Sequence, residues 1–214
     1  MRREMSDRTE GSLAEVREFE FELPTNGGVS VCFLGSTRSG KTTFLKWLIQ
    51  NHFKKHFKML MSNSIHNEIY GSLKMDVMSP LYCPRLVRDA YIINKETDNH
   101  YKFLMVLDDV VSAKFDKELL KLLAIYRNSN LSAIISIQSP VLLNSATRGN
   151  LNYVMLGRMN SEEQIEKTIK MYLSSYMKGS MVDKIRQYKA LTENHHWFVI
   201  DNLRGIIYRT KLTI

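Results

Sequence analysis

Residues 31–44 read VCFLGSTRSGKTTF, passing from wholly apolar to glycine-bounded polar to lysine and threonine within fourteen positions. Gly35, Ser36, Thr37, Arg38, Ser39, Gly40, Lys41 and Thr42 match G-x-x-x-x-G-K-[ST], with an apolar run before and an amphipathic pattern after. This context restricts the fold sharply. A buried strand must run into a tight loop whose backbone N–H groups turn inward, and a helix must start near the lysine so that its positive end adds to them. Such a loop grips phosphate. Lys41 is placed to bridge the outer phosphates of a nucleoside triphosphate, the Thr42 hydroxyl to ligate Mg²⁺, and Thr43 to complete the nucleotide-binding stretch.

The rest of the chain supplies a sheet for that loop. VSVCFLG (29–35), KMLMS (58–62), FLMVLD (103–108), LSAIISI (131–137) and LNYVMLG (151–157) are short apolar runs of the kind buried on both faces of a parallel sheet. Helical patterns fall between them. Phe44, Leu48, His52 and His56 share one face beside Leu45, Ile49 and Phe53, and PRLVRDAYIINKE (84–96) reads as a second helix. Phe115, Leu119, Leu122, Leu123 and Tyr126 mark a third, and SEEQIEKTIKMYLSSYM (161–177) a fourth opened by a capping serine. VREFEFELP (16–24) alternates like an edge strand, and HWFVIDNLRGIIYRTKL reads as a C-terminal hairpin turning at Asn202 to Gly205. Strands alternating with helices predict an α/β fold with a mostly parallel central sheet flanked by helices. Residues 1–13 are polar and read as disordered, leaving 14–214 as one domain.

Composition excludes several classes. The longest apolar runs are about five or six residues against the roughly 20 that a membrane span requires, and MRREMSDRTEGS has no apolar signal core, so a soluble intracellular protein is expected. Cys32 and Cys83 are too few for a disulfide framework or a four-ligand zinc site and read as reduced. The net charge of +8 is unevenly distributed: residues 1–28 carry four basic and seven acidic side chains, so the remainder holds 26 against 15. A basic domain attracts polyanions, although a solvated lysine-rich surface has the same composition.

A phosphate loop by itself names no reaction, since kinases, GTPases, helicases and motors share it. FLMVLDDV ends a strand in two acids, placing Asp108 for the Mg²⁺ shell and Asp109 to polarise an attacking water. LSAIISI ends in Gln138. An extra strand beside the loop strand with a polar residue at its tip is the additional-strand arrangement, in which Gln138 senses the terminal phosphate. INKETD has the spacing NKxxD rather than the guanine-reading NKxD and precedes the acidic strand, so it reads as a helix end. No arginine-rich lid of a small-molecule kinase follows Asp109.

The set GSTRSGKT, LMVLDD, YRNSNLSAIISIQSP and ATRGNLNYVML, in this order and spacing, resembles the DNA-packaging ATPases of poxviruses and other nucleocytoplasmic large DNA viruses, members of the FtsK/HerA superfamily of P-loop ATPases. The resemblance spans about residues 20–210. It implies ATP and Mg²⁺ as cofactors and ATP-driven translocation of double-stranded viral DNA into a preformed capsid. The implied partners are a homo-oligomeric ring, hexamer or pentamer, and a capsid vertex or portal protein, in the virion or the host cytoplasm where virions assemble. Carried over by position, Lys41 and Thr42 hold nucleotide and metal, Asp108 coordinates Mg²⁺, Asp109 is the catalytic acid and Gln138 the sensor. Ring motors of this type take an arginine from the neighbouring subunit; Arg148 is the first candidate and Arg127 the second. Arg38 departs from the pattern, which favours a small residue there. For DNA contact the candidates are KKHFK (54–58), Lys114 and Lys117. A cellular segregation ATPase of the same core, or a slow nucleotide switch, is the alternative.

Overall fold

The structure, a computed structural model, describes residues 16–66, 68–110 and 117–211. The predicted disordered segment 1–13, the DNA-contact candidate Lys114, and Phe115 of the third helical pattern lie outside them. The first half contains β1 (Ser30–Leu34), α1 (Lys41–His52), β2 (Phe57–Ser62), α2 (Glu68–Gly71), β3 (Val77–Ser79), α3 (Pro84–Glu96) and β4 (Phe103–Asp108). The second contains α4 (Lys117–Ala124), β5 (Leu131–Ile137), α5 (Ser145–Gly149), β6 (Tyr153–Leu156), α6 (Glu162–Thr168), α7 (Met181–Leu191), β7 (His196–Asp201) and β8 (Ile206–Lys211).

The strands form one sheet in the order β3-β2-β4-β5-β1-β6-β7-β8. Pairing is parallel from β3 through β6, and the β7–β8 hairpin closes the sheet antiparallel to β6. Every residue of β1, β4, β5 and β6 is buried, which is why these runs read as continuously apolar instead of alternating. Strand parity sorts their side chains into two cores. Leu104, Val106, Ile134, Val31 and Phe33 pack with Phe44, Leu45 and Leu48 of α1, whereas Met105, Leu107, Ala133, Ile135 and Cys32 pack with helices α3, α4 and α6. Each such fully buried Leu or Phe contributes about 1.5–3 kcal/mol of transfer free energy. Burial also pushes the Cys32 thiol up to about 12, so it packs as a small apolar group.

Several predicted elements differ at their ends. The first helix stops at His52, because Phe53 caps it and residues 54–56 turn into β2, so His56 is not on its face. The fourth helical pattern is broken in pitch: α6 continues as a π-turn over Ile169–Leu173, which keeps Ile165, Ile169 and Leu173 all buried. VREFEFELP does not form an edge strand. Val16 makes a single bridge to Arg209, and the chain then leaves the sheet so that Phe19 meets the rings of Phe44 and Tyr153 at centroid distances of 5.2 and 6.0 Å. Its alternation is nevertheless used. Phe19 is buried while Glu20 and Glu22 reach out to pair with Arg204 of the β7–β8 turn. Asn94 is a helix end as its context predicts, its buried amide donating to the carbonyls of Ser129 and Tyr101 at 2.6 and 2.9 Å. The short β3 and the helices α2, α5 and α7 are unanticipated, although Ser180 followed by Asp183 is a readable cap for α7.

Candidate active site

Because the central strands are parallel, the residues that follow β1, β2, β4, β5 and β6 emerge at the same edge. The register makes this concrete: Ser62 lies beside Asp108, Asp108 beside Ser136, and Leu34 beside both Ile137 and Leu156. Gly35, Asp109, Gln138 and Arg158 therefore surround one point. β5 sits between the loop strand β1 and the acidic strand β4, the arrangement expected of the additional-strand type.

The loop folds as its glycines require. Gly40 has φ +94°, a left-handed conformation that a side chain would strain, and it places Lys41 at the first helical position of α1. At Gly35 the constraint is space: a β-carbon there would come 2.7 Å from the Ser39 hydroxyl oxygen. The Gly35 amide donates to the Ile137 carbonyl at 3.2 Å and the Ser36 amide to the Arg158 carbonyl at 2.9 Å, so β5 and the segment after β6 both hold the loop. Lys41 is buried, and its ammonium donates to the carbonyls of Gly35 and Ser36 at 2.7 and 3.1 Å. Burial lowers its pKa, against the opposing pull of Asp109 and Asp108. Thr42 is half-buried, whereas Thr37, Arg38 and Thr43 are exposed; Arg38 has φ +64°.

The two acids differ in setting. Asp108 is buried on the α1 side of the sheet, and one of its oxygens, Oδ2, accepts a hydrogen bond from the Tyr70 phenol of α2. The other oxygen, Oδ1, is buried without a hydrogen-bond partner. A buried carboxylate oxygen is costly unless something positive faces it, so the donor set fits a hard divalent cation such as Mg²⁺. Burial first, and the adjacent Asp108 charge second, push the Tyr70 phenol above its ordinary value, so it stays protonated and donating. Asp109 turns outward through φ +54°, its amide donating to the Ser136 carbonyl at 3.0 Å. Partial desolvation raises the Asp109 pKa, and the Gln138 amide, donating to Oδ2 at 2.8 Å, works against that rise. Gln138 Oε1 in turn lies 3.4 Å from the Thr37 hydroxyl of the loop.

Lys41, Thr42, Asp108, Asp109 and Gln138 are thus brought to one edge of the parallel sheet. Solved structures with this architecture include B204, the DNA-packaging ATPase from Sulfolobus turreted icosahedral virus, at TM-score 0.68 and 15% identity over 89% of this chain and 100% of that one. The genome packaging NTPase B204 from Sulfolobus turreted icosahedral virus 2 in complex with AMPPCP superposes at TM-score 0.60 and 15% identity, covering 88% and 100% of the two chains. The pCW3 conjugation coupling protein TcpA superposes at TM-score 0.57 and 13% identity, covering 88% of this chain and 61% of TcpA. No protein-family model and no curated sequence matches the chain.

The candidate arginines lie apart from this cluster. Arg148, on α5, donates to the Leu143 carbonyl at 2.7 Å and places its guanidinium carbon 5.7 Å from the Tyr172 ring centre. Arg127 is at the opposite end of the strands, its carbonyl accepting from Gly28 just before β1. Of the basic candidates, Lys54 and Lys55 are exposed and Lys58 is half-buried, 4.0 Å from Asp76. Three residues at this edge escaped the sequence reading. Tyr70 lies in a four-residue helix too short for any periodic pattern, and Arg158 with Asn160 follows a strand in a loop without a motif. A lone signal for the latter is the charged residue directly after LNYVMLG, at the end of a core strand where site residues collect.

No helix among the described residues is long and apolar enough to cross a membrane.

Proposed function

We propose that this chain is the ATPase subunit of a motor that drives double-stranded viral DNA into a preformed capsid. The observation that carries it is the convergence of Lys41, Asp108, Asp109 and Gln138 on one sheet edge, through a β5 strand wedged between loop strand and acidic strand. The likeness to B204, which is named a DNA-packaging ATPase, supports the viral setting, and B204 from the second virus holds AMPPCP. In this reading residues 35–43 cradle the phosphates of ATP, and Thr42 with Asp108 would hold Mg²⁺, whose chemistry there would be to neutralise phosphate charge. Lys41 leaves the two loop carbonyls for a phosphate oxygen. Asp109 accepts a proton from, or orients, the attacking water, and Gln138 reports the terminal phosphate to it. Subunits form a ring, pentamer or hexamer, with Arg148 entering the neighbour's site, and the ring docks on a capsid vertex or portal protein. The domain's basic surplus and Lys54, Lys55 and Lys58 serve the DNA backbone.

The likeness to TcpA favours a second reading, an FtsK/HerA-like ATPase that moves DNA between cells or compartments. Both readings require DNA to speed hydrolysis. The test is ATP turnover against protein concentration, with and without long duplex DNA. Turnover that rises more steeply than protein concentration and is stimulated by duplex DNA is expected. Should DNA leave the rate unchanged while Lys41→Ala still abolishes nucleotide binding, the motor reading fails and a slow nucleotide switch remains. Capsid genes beside this gene separate the viral from the cellular motor.

A further inference from the structure

Residues 54–58 read KKHFK and residues 100–103 read HYKF, two stretches that hold only lysine, histidine and aromatic side chains. They are distant in sequence, yet the parallel pairing of β2 with β4 sets Phe57 beside Phe103, and the Phe57 amide donates to the Lys102 carbonyl at 2.8 Å. The edge they form is where β2 and β4 begin, opposite the acids at Asp108 and Asp109. A row of rings runs along it. Phe57 meets Phe103 at a centroid distance of 5.6 Å, Phe103 meets Tyr101 at 6.2 Å, and Tyr101 meets His100 at 5.0 Å. Phe103 is buried, but Phe57 and Tyr101 are 41% and 47% exposed. We propose that this edge is a platform for single-stranded nucleic acid, its bases stacking on Phe57 and Tyr101 while the lysines hold the backbone phosphates. The platform lies away from the phosphate loop and goes beyond the duplex motor described above.

Strand alternation separates the two chemistries at this edge. Phe103 belongs to the core on the α3 side, and Phe57, two positions before Met59 of the same core, shares that face. Lys58 is in register with Leu104 of the α1-side core, and with Lys54 and Lys74 it lines a cleft of about 430 Å³ at the end of α1. The charges of Lys102 and Lys58 both act on the His56 imidazole, so they flank one ring. Lys58 has Asp76 at 4.0 Å, whereas among the described residues Lys54, Lys55, Lys74 and Lys102 are exposed and in no ion pair. A strand of nucleic acid laid along the edge therefore meets cations on one flank and rings on the other. Tyr101 is fixed for that role. Its amide donates to Asn94 Oδ1 at 3.1 Å and its carbonyl accepts from the Asn94 amide at 2.9 Å, with Asn94 wholly buried, so the ring is presented from a held backbone and loses little freedom on stacking. Duplex DNA keeps its bases stacked inside, so exposed rings beside lysines serve unpaired bases, with little regard to sequence. A protein partner suits the edge less well, because interface cores gather aromatic residues but shed lysine.

Fluorescence anisotropy on the full chain, with labelled oligothymidylate of about 20 nucleotides and a mixed-sequence duplex of the same length, tests the platform. The wild type is expected to bind the oligothymidylate, and Phe57→Ala and Tyr101→Ala should each weaken it about fivefold or more while leaving duplex affinity within about twofold. Tyr101→Phe, which keeps the ring, should restore the affinity. Lys102→Ala should weaken the single strand and remove about one phosphate contact from its salt dependence. Because Phe57 packs on the buried Phe103, thermal melting accompanies each variant; should Phe57→Ala fail to fold, the more exposed Tyr101→Ala decides. Oligothymidylate left unbound by the wild type, or bound as well by folded Tyr101→Ala, overturns the proposal. So does an equal loss of duplex affinity in the aromatic variants, which would mean a general effect on charge or fold. A fall in oligomer size by sedimentation with single-strand affinity unchanged would make the row a subunit contact instead. Failure of the wild type to bind duplex counts against the motor reading alone.

Discussion

The Gln138 amide donates to Asp109 Oδ2 at 2.8 Å, and its own oxygen lies 3.4 Å from the Thr37 hydroxyl. One side chain at the tip of β5 therefore connects the phosphate loop to the carboxylate proposed to act on water. A ligand that draws Thr37 away from Gln138 also alters what Asp109 is bonded to. Gln138→Leu should leave ATP affinity within about twofold and cut turnover on the order of a hundredfold, as removal of a group that acts only on the reacting water does. Single-turnover hydrolysis measured beside equilibrium binding checks it. A matching loss in both quantities would make Gln138 part of ground-state binding.

Tyr70 holds Asp108 by one oxygen and leaves the other buried without a hydrogen-bond partner. Tyr70→Phe keeps the buried ring and frees that oxygen, so the carboxylate can rotate or accept water. Nucleotide binding without Mg²⁺ should be unchanged, while the Mg²⁺ concentration needed for half-maximal nucleotide binding rises by about threefold to tenfold, equivalent to about 0.7–1.4 kcal/mol. An unchanged Mg²⁺ requirement would reduce the phenol to core packing.

Arg148 already has partners in its own subunit, the Leu143 carbonyl and the Tyr172 ring. Its removal should cost about 1–2 kcal/mol of stability whatever else it does. The proposed role across the subunit boundary predicts more: ATP affinity kept, turnover down about a thousandfold, and partial recovery when Arg148→Ala is mixed with Lys41→Ala subunits. Recovery requires that one subunit supply the arginine and the other the lysine. If Arg127→Ala complements and Arg148→Ala does not, the role moves to Arg127.

His56 gives a pH signature. Burial foremost, then Lys102 and Lys58, lower its imidazole to about 4, and its Nδ1 is buried without a hydrogen-bond partner. The unfolded chain takes up that proton near pH 6.5 and the folded chain only near pH 4, so this contribution is complete above about pH 6.5 and declines as pH falls toward 4. His56→Phe preserves a ring against Phe53, whose centroid lies 4.8 Å away, and removes the titration. Urea midpoints at pH 7 and pH 5 should therefore differ less in the variant. Equal differences in both proteins would exclude His56 as the source.

Much of this arrangement was legible along the chain. Strand ends at Leu34, Asp108 and Ile137, the loop between strand and helix, and the hairpin turn at 202–205 all follow from apolar runs and local turn chemistry. Helix ends were less so: the periodic face ran on to His56, but the backbone turned after Phe53 to enter β2. The alternation of VREFEFELP sorted its side chains correctly while leaving open what they pack on. In the event, Phe19 docks on aromatic rings and not into a ladder of backbone bonds.

By itself the sequence determined the phosphate loop, the buried strands and the acids at their ends, because backbone sterics and side-chain periodicity act within a few residues. Only the tertiary structure decided that Tyr70 anchors Asp108 across 38 positions, and that Gln138 spans Asp109 and Thr37. The same is true of the lysine and aromatic segments 54–58 and 100–103 that meet at the opposite edge. Those pairings depend on strand order, and strand order is selected by packing of whole faces, a long-range property that no short stretch of chain encodes.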